Sequence, residues 1–171
     1  LYLKYLMSLK INGNEKEAIY NGFKLLNFKG RILAITAHPD DLEIFVAGTL
    51  KLLRDRNVDI HILDVTDGEK GVQRRNLAKT RIKEQINACQ ALGIDNNHFL
   101  HLPDLYLDKV KNLDYALKKS IQDINPDLIF VFDYALPFRA IRHPDHIAVG
   151  EAVTKIVDEE MENKIPLVFY A

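Results

Sequence analysis

The stretch RILAITAHPDDLEIFVAGTLKLL, residues 31 to 53, decides the fold. Its opening run, Arg31 to Ala37, is apolar and partly β-branched and reads as a buried strand. Leu42, Val46, Thr49, Leu50 and Leu53 then recur at helical spacing and read as one helix. A strand that runs straight into a helix is the first half of a parallel βαβ unit. Between the two stands AHPDDLE, Ala37 to Glu43, with His38, Asp40 and Asp41 able to hold a metal or move a proton.

Outward from this stretch the alternation continues. A second strand lies in VDIHILDVT, and Ala78, Ile82, Ile86, Cys89 and Leu92 mark a helix that Gly93 closes. HFLHL is a short third strand. Val110, Leu113, Leu117, Ile121 and Ile124 give a helix that Pro126 stops, and DLIFVFD is the fourth and most apolar strand. Val149, Ala152, Val153 and Ile156 mark a further helix before a fifth strand in PLVFYA. The expectation is an α/β fold with a Rossmann-like parallel sheet flanked by helices over residues 31–171. Residues 1–30 differ in character, and Ile19, Phe23 and Leu26 predict one extra amphipathic N-terminal helix outside the sheet.

The 171 residues suit one domain with a sizeable core. With 23 basic and 24 acidic side chains the formal net charge is -1, so there is no electrostatic footprint for nucleic acid or an anionic membrane. Cys89 is the only cysteine, which excludes an internal disulfide framework and multi-cysteine metal clusters and points to a reducing cytoplasm. No apolar run approaches the roughly 20 residues of a membrane helix, and the opening residues lack the pattern of a signal peptide. The chain starts at Leu1 and stops inside an apolar run, as a trimmed piece of a longer protein would.

A second cluster, RHPDH at Arg142 to His146, follows the fourth strand and opens a helix. Open α/β sheets bind ligands beyond the carboxyl ends of their strands, where the strand order reverses. The order 3-2-1-4-5 places strands one and four side by side at that reversal, whereas 2-1-3-4-5 separates them; a shared site selects the first. Together the clusters offer His38, His143 and His146 with Asp40, Asp41 and Asp145. Two nitrogens and a carboxylate with open positions describe a catalytic zinc site or, equally, a non-haem iron site. Helix capping accounts for Pro39 and the aspartates but not for His38. DVTDGEKG, Asp64 to Gly71, reads as a binding loop or a solvated turn. Arg81 and Asp104 read as ligand contacts or plain surface charges, and His61, His98 and His101 as structural.

AHPDDLE, TDGEKG, Arg81 and Glu84 of RIKEQINACQALG, and HPDH at His143 to His146 occur in an order and spacing that resemble the LmbE-like, or N-acetylglucosaminylphosphatidylinositol deacetylase, family. The resemblance runs from Arg31 to about Ala171. It implies a Rossmann-like fold that uses zinc to remove acetyl groups from small N-acetylglucosamine-type conjugates, while Fe2+ stays the other candidate on the donor set alone. It also implies His38, Asp41 and His146 as metal ligands, Asp40 as general base and His143 as acid. Asp145 becomes a supporting partner of the site, and Arg81 and Asp104 substrate contacts. The chain departs from the family in having Ala47 before Gly48 and Thr49, where two glycines are common. It also carries the extra N-terminal helix and lacks the family's C-terminal portion after Ala171. Two other readings are a nucleotide-binding protein and a non-catalytic metal-containing module that binds a glycan or partner. Against the first, HPDDLEIFVAG replaces a G-x-G-x-x-G loop, and its two aspartates repel a pyrophosphate.

Overall fold

A computed structural model describes residues 25–72, 75–135, 143–161 and 165–170. The expected N-terminal helix lies, apart from its last residues, outside these described residues. Five parallel strands form one sheet: β1 (Arg31–Thr36), β2 (Asp59–Thr66), β3 (Asn96–Leu102), β4 (Leu128–Phe132) and β5 (Leu167–Tyr170), in the order β3-β2-β1-β4-β5. This is the order that a site shared between strands one and four requires. The register pairs Ile32 with Leu128 and Ala34 with Phe130, and on the other side Thr36 with Asp64. Both central strands are covered on each face, which is why they read as continuous apolar runs rather than alternating ones.

The segment after β1 is two helical pieces, α1 (Asp41–Phe45) and α2 (Ala47–Arg54), and not the single helix its periodicity predicts. The break falls at Val46, whose backbone leaves the helical region (φ -133°, ψ -4°). Leu42, Val46, Leu50 and Leu53 are nevertheless all buried, so the apolar stripe survives the break. The remaining α-helices are α3 (Leu77–Leu92), α4 (Leu113–Ile124) and α5 (Pro144–Lys155), the last running on into a π-helical turn (Ile156–Glu160). α3 ends as expected, with Gly93 left-handed at φ 78° and the Ile94 amide returning to the Cys89 carbonyl at 2.8 Å.

The inward face of α3 is not the one its apolar residues predict. Ile86 is 37% exposed, whereas Leu77, Gln85 and Cys89 are buried. The helix is turned so that polar residues of the 81-85-89 row face the loop after β1. α5 begins with His143 as N-cap and Pro144 in its first turn, and it lies close against β4. Gly150 permits this approach, since a Cβ there would stand 2.6 Å from the Phe132 carbonyl oxygen.

Candidate active site

The loop after β1 is built by its own aspartates, in a way that differs from simple capping. Asp41 turns back and accepts the Ala37 and His38 amides on Oδ2 at 3.1 and 2.8 Å. Asp40, at the N-cap position, makes no side-chain cap bond and has φ 108°. Such a conformation costs a non-glycine residue about 1–3 kcal/mol and persists only where neighbours hold it. The Asp40 carboxylate points instead to Arg81 Nη2 at 2.7 Å. HPDH behaves more conventionally: His143 Nδ1 accepts the Asp145 amide at 3.3 Å, capping α5.

The ends of β1 and β4 bring the two clusters into contact. His38, 6% exposed, places Nε2 at 3.1 Å from Asp104 Oδ1 and 3.2 Å from Asp145 Oδ2, with Nδ1 3.5 Å from Asp41 Oδ2. The other Asp41 oxygen lies 3.1 Å from His146 Nε2. His38 also packs edge-on against His143, with ring centroids 4.5 Å apart. His146 is stacked on Phe132, with centroids 3.8 Å apart and planes 10° apart. Asp145 is fully buried and accepts the Leu105 and Leu107 amides at 2.7 and 3.2 Å, which ties α5 to the segment after β3.

These contacts set the charges. Burial alone would lower the His38 imidazole, but hydrogen bonds to Asp145 and Asp41 and the negative charges of Asp41 and Asp104 outweigh it and raise its pKa to about 10. Burial works against ionised Asp41, yet bonds from His146 and His38 hold its carboxyl well below the usual range. Asp145 is likewise lowered, its burial outweighed by His38 and the two backbone amides. Asp40 moves upward because burial, helped by the Asp41 charge, exceeds the pull of Arg81. His143 moves downward through burial and the neighbouring His38 and His146.

Among the described residues, two groups bring one ligand atom from each member within 4.8 Å of all the others: His38, His143 and His146, and His38, Asp104, His143 and Asp145. Asp41 belongs to neither, although it bridges His38 and His146. A set of imidazole nitrogens beside carboxylate oxygens, buried at His38 and half-buried at His143 and His146, fits zinc or iron(II) rather than the all-oxygen preference of calcium or magnesium. An open cleft of about 310 Å³ lies over this set and is also lined by Lys70, Gly71, Arg81, Asp104 and Leu105.

Arg81 and Asp104 therefore both reach the cleft, and each is also tied into its walls. Arg81 donates to the Pro39 and Gly68 carbonyls at 2.6 and 3.0 Å, locking the loop after β1 to the loop after β2. Gly68, left-handed at φ 62°, and Gly71 lie so close over this guanidinium that a Cβ at either would have to push it aside. Asp104 accepts the Lys70 amide at 2.8 Å, and its own amide donates to Glu69 at 3.0 Å. The TDGEKG segment is thus a wall of the site, not a free turn. His61 and His98 bond to each other at 3.1 Å, and His101 bonds to Asp67 at 2.7 Å; none of the three is in a ligand group.

Sequence reasoning missed three contributors. Gln85 accepts the Asp40 amide, Phe132 backs His146, and the Leu105 and Leu107 amides hold Asp145. Gln85 stands in the i, i+4 row Leu77-Arg81-Gln85-Cys89, but the sequence carried no signal that this row, rather than that of Ile82 and Ile86, faces inward.

Residues 33–157 match a family described as PIG-L, GlcNAc-PI de-N-acetylase. The chain belongs to this family. Among its relatives is a Bacillus anthracis protein described as a probable N-acetyl-alpha-D-glucosaminyl L-malate deacetylase 2, 34% identical over 150 residues, which cover 82% of this chain and 64% of the relative. A diacetylchitobiose deacetylase of Thermococcus kodakarensis is 31% identical over 125 residues, covering 70% of this chain and 46% of the relative. The solved N,N'-diacetylchitobiose deacetylase of Pyrococcus horikoshii superposes with a TM-score of 0.69 at 28% identity, over 87% of this chain and 60% of that one. This PIG-L chain thus spans less than two thirds of the length of each of these relatives. No helix among its described residues is long and apolar enough to cross a membrane.

Proposed function

We propose that the protein is a metal-dependent N-deacetylase that hydrolyses the acetamide of a small N-acetylglucosamine conjugate, with zinc as the metal and iron(II) as the alternative. Residues 31–171 are its catalytic domain, and the single, buried cysteine favours the cytoplasm. The observation that carries the reading is the meeting of AHPDD and HPDH across β1 and β4, in a chain whose relatives are sugar deacetylases.

We assign metal binding to His38, Asp41 and His146. When bound, a divalent cation there supplies Lewis acidity toward a carbonyl and lowers the pKa of water. Asp40 takes the proton of the attacking water. Its lifted pKa makes it a better proton acceptor than an ordinary aspartate, and Arg81 holds it in place. Through its Nε2–H, His143 steadies the tetrahedral oxyanion, and the proton that Asp40 has taken passes to the departing amine, which could not leave as an anion. The cap bond supports separate roles for His143 and His146: Nδ1 is occupied as an acceptor, so the ring carries its proton on Nε2. His146 instead directs Nε2 at Asp41. Asp145, held by two amides, keeps its carboxylate against His38. Arg81 and Asp104, on the cleft wall, are assigned to contact the sugar.

The test is a coupled acetate-release assay across N-acetylglucosamine conjugates with zinc-loaded, iron-loaded and chelator-treated protein. Metal-dependent acetate release is expected. Binding of these conjugates with no acetate released under any loading would overturn catalysis and leave the binding-module reading.

A further inference from the structure

Gln85 is 2% exposed, in the middle of α3, where an uncharged amide must satisfy both ends of its side chain or leave a polar atom stranded. It does so. Oε1 accepts the Asp40 amide at 3.0 Å, and Nε2 donates to Cys89 Sγ at 3.5 Å. The orientation is forced from one end, because a backbone N–H can face only the oxygen. It is consistent at the other, where the sulfur also accepts Asn97 Nδ2 at 3.3 Å.

Asp40 is the residue whose backbone is left-handed, and its carboxylate carries no cap bond that would steady it. Gln85 grips its amide and Arg81, one turn earlier on the same helix, grips its carboxylate and the preceding Pro39 carbonyl. Residue 40 is thus clamped at both ends by a single rigid element, as a proton acceptor must be to stay within reach of its proton.

We propose that Gln85 is a positioning residue that holds the strained backbone of Asp40 and so fixes the direction of its carboxylate, with Cys89 orienting the Gln85 amide. The proposal rests on the reading of Asp40 as proton acceptor. Gln85 is neither among the residues lining the cleft nor in either candidate ligand group; its effect passes through Asp40 alone.

The test is a double-mutant cycle on metal-loaded protein with Gln85→Met, which keeps the side-chain length and removes the acceptor, alone and combined with Asp40→Ala. Gln85→Met should keep its metal content and its KM within about twofold while kcat falls about tenfold, the order expected of a sub-ångström misplacement. In the Asp40→Ala background it should cost nothing further. Amide hydrogen exchange read at Asp40 gives a measure independent of turnover: the wild-type amide should be protected and that of Gln85→Met should not. Normal kcat in Gln85→Met beside a crippled Asp40→Ala overturns the proposal, as does an Asp40 amide that exchanges freely in the wild type. An additive loss in the double variant also overturns it, since a merely structural role would act without Asp40. Full turnover of metal-loaded Asp40→Ala overturns instead the reading on which the proposal rests.

Discussion

Asp40 and Asp41 are chemically identical neighbours, yet one carboxylate faces Arg81 while the other lies between His38 and His146. Removing each should have a different effect. On the proposed assignment, Asp41→Ala should lose metal, because the site would forfeit an anionic ligand that offsets the cation's lost hydration, along with the brace on two loop amides. Asp40→Ala should keep its metal and lose kcat by roughly 10²- to 10⁴-fold, with substrate binding much less altered. Metal content and kcat measured on the same preparations decide this; equal metal loss in both variants would show that base and ligand are wrongly assigned. The residue types of the site were legible in AHPDD and HPDH, but their roles were not. What separates the two aspartates is the φ of 108° at Asp40, and that follows from Arg81 and Gln85, residues more than forty positions away.

At the scale of the element, the close seating of α5 on β4 makes Gly150 a sensitive position. Gly150→Ala directs a methyl at the Phe132 carbonyl, a backbone atom that cannot turn aside. The expected cost is about 1–3 kcal/mol in urea unfolding, with weaker metal retention because His143 and His146 ride on the displaced helix. An unchanged midpoint would mean that α5 can shift freely. The pairing of β1 with β2 offers a second test. Asp64 is fully buried beside Thr36, whose hydroxyl donates to Oδ1 at 2.6 Å, while Oδ2 has no hydrogen-bond partner among the described residues. Burial pushes the carboxyl up to about 8, against the Thr36 bond. The folded chain therefore holds a proton that the unfolded chain, with a carboxyl near about 3.9, releases. This contribution is complete below about pH 4 and is lost as pH rises through about 8. Asp64→Asn should consequently melt closer to the wild type at pH 5 than at pH 8.5, where it should be the more stable; parallel Tm curves would contradict this. Element types were readable from period and punctuation, as Gly93 and Pro126 show. The facing of α3 was not, because three tertiary bonds to the loop after β1 outweigh the burial of Ile86.

For the whole molecule, the strand order followed from a chemical requirement, that two distant clusters serve one site, more firmly than from any local preference. The order β3-β2-β1-β4-β5 meets that requirement. A cation that binds only the folded chain should stabilise it by about 2.7 kcal/mol at a concentration 100 times its Kd. Chelation should therefore lower Tm, and zinc should restore it. An unchanged Tm on stripping and reloading metal would remove the case for a resident ion.

The adjacency of β1 and β4 also bears on how the chain reaches this structure. His38 and His146 stand at opposite ends of most of the sequence, so no local hairpin or single βαβ unit can bring them together. An ion held by the proposed ligands could not seed folding as it does in a zinc finger, where the ligands are close in sequence. It can only be captured once the central crossover has closed, among the slowest pairings in a parallel sheet. In refolding with Co2+, the ligand-field absorbance of the bound ion should thus rise no earlier than the circular dichroism of the sheet. A faster absorbance change would indicate a transient, non-native grip within one cluster. Possession of metal is, on this view, a certificate of completed topology.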